Sequence, residues 1–149
     1  MKKVISLLVV AIFFAVTASA QVFSREQALK IATAAQMMTP NSKVFSIAAT
    51  GSMKPMMDEH CLVVIVKDPF DSVNVRDVVI YTQAKTRQNV IHRVMEKRKD
   101  GKLWTLGDNN KRPDNEFVTS ANYVGKVCTV VYYRGDAVNN GYVAAASSR

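Results

Sequence analysis

Leu62-Val63-Val64-Ile65-Val66 is an unbroken apolar run in which every residue after Leu62 is β-branched. Such a run is too short for an amphipathic helix and suits a strand enclosed in a core. Runs of similar texture lie on both sides of it. Val44 to Thr50 precedes it, and Val73 to Tyr81 follows the turn signal Asp68-Pro69-Phe70-Asp71. Val90 to Met95, Leu103 to Leu106 and Tyr123 to Tyr133 complete the series. Strands at such close intervals predict a mainly β domain, a compact antiparallel sheet or small barrel. Ser24 to Met38 reads as the single helix. Ser24 caps it and Gln27 completes a capping box, while Ala28, Ile31, Ala32, Ala35 and Met38 form a modest apolar stripe.

The 149 residues suffice for one domain, and 48% apolar against 21% charged residues is ordinary for a folded chain. Residues 1–20 stand apart. Lys2 and Lys3 lead into the apolar stretch Val4 to Val16, and Ala18-Ser19-Ala20 offers small residues where a signal-peptide cleavage site requires them. The segment reads as an export signal or a retained anchor, with the domain outside the cytoplasm in either case. Residues 21–42 then form a helix and linker, 43–134 the main domain, and 135–149 an Ala-, Asn- and Ser-rich tail.

The chain is basic, with 20 Lys and Arg against 12 Asp and Glu. The densest run, Lys97-Arg98-Lys99-Asp100-Gly101-Lys102, reads as a solvated hairpin tip, and an anionic membrane surface is the second reading. No aromatic-basic pattern accompanies the charge, so nucleic acid is not expected. Cys61 and Cys128 each sit in a strand-like run. A disulfide and two free thiols are equally compatible with that placement.

Thr50-Gly51-Ser52-Met53-Lys54-Pro55 is a turn by composition. It is also a stiff, glycine-flanked corner that would present a serine hydroxyl rather than bury it. Serine becomes a nucleophile only beside a base and near donors for the oxyanion it generates. His92, in the strand-like Val90-Ile91-His92-Arg93-Val94, could be that base. Gly107-Asp108-Asn109-Asn110 supplies an acid that could orient the imidazole, with Asp114 as the alternative acid. Met53, Met56 and Met57 could line an apolar groove, although methionines more often fill cores.

Taken in order, Thr-Gly-Ser-Met-x-Pro at 50–55, Arg-Asp-Val-Val-Ile-Tyr at 76–81, Ile-His-Arg-Val at 91–94, Gly-Asp-Asn-Asn-x-x-x-Asp at 107–114 and Tyr-Val-Gly-Lys-Val at 123–127 resemble the signal peptidase I family. The resemblance spans about Val44 to Tyr133. Histidine stands where the bacterial housekeeping enzymes carry lysine, so the chain looks like the serine–histidine branch. The resemblance implies the signal-peptidase type of fold and a serine endopeptidase acting without metal or cofactor. Ser52 would be the nucleophile, His92 the base and Asp108 the preferred acid, with an oxyanion hole from the Ser52 backbone N–H and the Thr50 hydroxyl. Substrates would be exported or membrane-associated polypeptides with small residues at the cut.

Two segments depart from the family pattern. Met56-Met57-Asp58-Glu59-His60-Cys61 replaces its Pro-Thr and Gly-Asp elements, and Arg76 stands where a glycine is usual. They motivate a second expectation, an envelope binding or accessory module that keeps the fold without the chemistry. A self-cleaving relative of the repressor-type proteases is a third reading, disfavoured by the export signal and by histidine in place of lysine. His60 reads as a surface residue.

Overall fold

The computed structural model describes residues 23–134. The export segment and the tail expected from the sequence lie outside the described residues. Helix α1 (Arg25–Met38) is followed by strands β1 (Ser42–Ser46), β2 (Cys61–Val66), β3 (Val78–Thr82), β4 (Asn89–Lys97), β5 (Leu103–Leu106) and β6 (Tyr123–Tyr132). A single 3-10 turn, Phe70–Ser72, separates β2 from β3. The six strands form one antiparallel sheet in the order β1-β2-β6-β3-β4-β5.

β1 and β5 are the outer strands, and no ladder joins them among the described residues. Closure into a barrel requires that last ladder. The domain is therefore an open sheet, which corrects the barrel alternative. Two strands are also shorter than expected. β1 stops at Ser46, before the serine corner, and the stretch from Val73 stays irregular until Val78.

The unbroken apolar run of β2 follows from its position. Side chains alternate across a strand. Leu62 and Val64 pack against Ala28 and Ala32 of α1, while Cys61, Val63 and Ile65 join Met53, Met57, Val78 and Ile80 on the opposite face. Both faces are covered, so no position is left for a polar residue. β3 divides in the same way. Val78 and Ile80 belong to the second cluster, and Val79 and Tyr81 pack with Val73, Val94, Leu103, Val118 and Tyr123.

The capping box of α1 forms as read: the Gln27 N–H donates to Ser24 Oγ at 3.2 Å and the Ser24 N–H to Gln27 Oε1 at 2.9 Å. Its apolar stripe is narrower than expected. Ala28 and Ala32, small enough for close approach, are fully buried, whereas Ile31 and Met38 are exposed. Phe23 lies beside the end of β6, where its carbonyl accepts from the Arg134 N–H at 2.9 Å.

Cys61 and Cys128 are free thiols. Cys61 is registered with Tyr132, and Cys128 lies at the irregularity opposite Val64 and Ile65. The offset along β6 is about four residues, or ~13 Å, beyond disulfide reach.

Candidate active site

The segment between β1 and β2 carries Ser52 and packs Met53 and Met57 on the sheet face formed by Val63, Ile65, Val78 and Ile80. Gly51 takes φ +71°, a left-handed conformation that glycine adopts without a Cβ clash. Two short hydrogen-bonded turns follow, with Lys54 N–H donating to Gly51 O and Met57 N–H to Met53 O. Met53 and Met57 are buried and pin the corner to the core, leaving Ser52 half-buried at the surface. The Gly107–Asn110 loop braces it from the side. Asn109 donates its backbone N–H to Ser52 O at 2.8 Å and its amide to Gly51 O at 3.1 Å.

His92 is registered opposite Val79 on β4, with only 7% of its surface exposed. Its Nδ1 lies 2.8 and 2.7 Å from the two oxygens of Asp114. The carboxylate also accepts from the Thr105 hydroxyl at 2.6 Å, and the Trp104 indole N–H donates to the Asp114 carbonyl. Burial pushes the Asp114 carboxyl up, but hydrogen bonds from His92 and Thr105 outweigh it and hold the group below its ordinary value. The ionised acid then fixes the proton on Nδ1 and leaves the Nε2 lone pair facing outward. Burial, reinforced by Asp114, pushes the neighbouring Tyr81 phenol well up, so it stays neutral.

Nε2 faces the serine corner. β5 pairs with β4 only from Arg93 onward, so at His92 the strand edge is open. The buried Gly107 fills the gap. A Cβ added there would sit 2.8 Å from His92 Nε2, 2.7 Å from Ser52 O and 2.7 Å from Asn110 Nδ2. The base and the serine backbone thus converge on one residue. No hydrogen bond joins Ser52 Oγ to Nε2 in this structure. The serine hydroxyl lies instead 3.3 Å from Thr50 Oγ1, and the Ser52 N–H is directed at the same oxygen at 3.4 Å. Thr50 and Ser52 therefore do stand side by side.

Ser52, His92, Thr50 and Gly51 line a cleft of about 360 Å³ whose floor includes Phe45, Ile47, Met53, Ile80 and Ile91. Asn110, Gln88 and Asn89 supply polar groups to its lining.

Two expectations change. Asp108 is not the partner of His92: its carboxylate is taken by Arg93, which donates from Nε at 2.8 Å and Nη2 at 2.7 Å. Asp114, the alternative acid, occupies the position at Nδ1. Met53 lines the cleft, but Met56 does not; its sulfur contacts Arg93 and its carbonyl accepts from the Tyr132 hydroxyl. Ser52 lies on the β1–β2 connection and His92 on β4. His60 is exposed, its ring edge-on to Tyr133.

Sequence reading missed four supports. Thr105 gave no signal within its strand. Gly107 and Asn109 were visible only as turn residues. Arg93 joins Asp108, Met56 and the Arg76 carbonyl, to which its Nη1 donates at 2.9 Å.

A scan against models of known protein families finds no match, and a search of curated proteins finds none either. Among the described residues no helix is long and apolar enough to cross a membrane.

Proposed function

We propose that the protein is a serine endopeptidase of signal-peptidase-like type, with Ser52 as nucleophile, His92 as base and Asp114 as the acid that orients it. One observation carries this reading: Asp114 locks Nδ1 of a buried histidine while Nε2 is turned toward the cleft that Ser52 lines. A structural histidine has no need of an open second nitrogen beside a serine.

The reaction is acyl transfer. Ser52 Oγ gives its proton to His92 Nε2 as it attacks the peptide carbonyl carbon. The carbonyl oxygen, now an oxyanion, takes hydrogen bonds from the Ser52 N–H and the Thr50 hydroxyl. Protonated His92 then delivers its proton to the leaving amine, the C–N bond breaks, and water repeats the sequence on the acyl-enzyme. Ser52 Oγ must swing from Thr50 to His92 when substrate enters; such contacts commonly tighten only in the bound complex. Ser52 N–H would exchange the Thr50 oxygen for the oxyanion. The outer edge of Asn89–Ile91, unpaired by β5, offers backbone groups to an extended peptide. Exported or membrane-associated polypeptides with small residues at the cut remain the substrates implied by the sequence resemblance.

Incubating the full chain with an Ala-x-Ala peptide tests the reading. Turnover should vanish in Ser52→Ala and in His92→Ala, and turnover that persists in either variant rules it out. The second reading, an inactive envelope module of the same fold, is favoured by the serine hydroxyl resting on Thr50. Labelling by a fluorophosphonate, located at Ser52 by mass, separates the two.

A further inference from the structure

The cleft lining is largely apolar and holds no Lys or Arg, but the segments that supply its polar residues carry basic neighbours. Asn110 lines the cleft, and the two residues after it, Lys111 and Arg112, are exposed. Gln88 lines the cleft some four residues along β4 from His92, or ~13 Å, and the turn before it carries exposed Lys85 and Arg87. Lys54, also exposed, follows Ser52 by two positions.

Among the described residues, none of these five side chains pairs with a carboxylate. Of the neighbouring acids, Asp108 is neutralised by Arg93. Asp114, hydrogen-bonded to His92, and Glu116, which accepts the Ala84 N–H at 3.0 and 3.1 Å, keep their charges, so five cations stand against two anions. The basic hairpin tip differs, because Arg98 and Lys102 share Asp100. Other unpaired cations are scattered over the domain, but these five sit on the three segments that supply Ser52, Gln88 and Asn110 to the cleft.

We infer that the cleft selects acidic polypeptide segments, with Asp or Glu close to the cut and again about four residues away on the Gln88 side. The spacing follows from geometry, since an extended peptide beside β4 rises by the same ~3.3 Å per residue as the strand. Exposed charges act on encounter and on binding more than on the chemical step, and salt screens them. An anionic membrane would also attract cations, but it is flat, whereas these adjoin residues that line a concavity. The inference rests on the cleft being a polypeptide site, and it can be tested apart from catalysis.

The test uses the full chain carrying Ser52→Ala, so that nothing is cut, and two fluorescent Ala-x-Ala peptides that differ only in Glu or Gln at the two flanking positions. Anisotropy should show the Glu peptide binding about fivefold tighter at 50 mM salt, an advantage lost at 500 mM. Adding Lys85→Gln, Arg87→Gln, Lys111→Gln and Arg112→Gln should abolish the preference, with circular dichroism confirming the fold. Equal binding of the two peptides, no binding of either, or a preference that survives the four substitutions overturns the inference. So does capture by phosphatidylserine vesicles that the four substitutions abolish while the peptides bind alike. Acidic preference in binding without turnover by the unsubstituted chain would instead count against the peptidase reading alone.

Discussion

Both carboxylate oxygens of Asp114 lie within 2.8 Å of His92 Nδ1, across 22 residues of chain. Asp108, nearer to His92 in sequence, faces Arg93 instead. The two acids therefore have separable roles. Asp114→Asn should lower kcat by about 10⁴-fold, the scale expected when an orienting acid is lost and the imidazole tautomer is freed. Asp108→Asn should cost much less and leave the pH profile of kcat/KM in place. Peptide kinetics on the two variants, showing equal losses, would contradict this division.

The depressed Asp114 carboxyl also ties stability to pH. A group held below its unfolded value, about 3.9 for Asp, stabilises the fold fully above that value. The contribution disappears as pH falls through the lower folded value. Urea midpoints from pH 2 to 7 should show the intact protein losing its advantage over Asp114→Asn from about pH 4 downward. A gap between the two that does not change with pH would refute the assignment.

Gly107→Ala and Gly101→Ala form a matched pair. At position 107 a methyl group meets Ser52 O, Asn110 Nδ2 and His92 Nε2, all at 2.8 Å or less. It should destabilise by about 1–3 kcal/mol through overpacking and remove activity. At position 101 nothing lies within 4 Å, but φ is +81°. Alanine there should cost about 1 kcal/mol through its backbone conformation and leave turnover unchanged. Thermal melts and peptide turnover on both variants decide the matter.

Arg93→Lys tests the clamp. The guanidinium reaches the Asp108 carboxylate, the Arg76 carbonyl and the Met56 sulfur, three directions that one ammonium cannot serve. The variant should lose about 1–2 kcal/mol, since the pair is partly exposed. It should also lose activity, because Asp108 precedes the Asn109 that braces Ser52. Wild-type rates in Arg93→Lys would show that the clamp does not position the corner.

The thiols should behave differently toward alkylating reagents. Cys128 is exposed, whereas Cys61 is fully buried and its thiol is pushed up by burial. Native alkylation followed by mass analysis should modify Cys128 first and Cys61 only on unfolding. Mild oxidation should leave no link between them within one chain.

Much of the scaffold was legible because local signals and burial agreed. The capping box of Ser24 and Gln27 needs only neighbouring backbone, and the apolar run of β2 announces a strand covered on both faces. The outer shape was not legible, because closure depends on whether β1 meets β5, a contact between ends of the sheet that no local pattern encodes. Ser52 and His92 could be singled out by residue type. Asp108 and Asp114 could not be told apart, since both follow turn residues and only the course of the 107–114 loop decides which reaches the imidazole. Thr105 alternates like any strand residue, and its hydroxyl gains meaning only from the carboxylate beneath it.

The backbone bond from Arg134 to Phe23 brings the two margins of the domain to one corner. The first and last described residues therefore share one anchorage, so a change that loosens the end of β6 should also loosen the entry to α1.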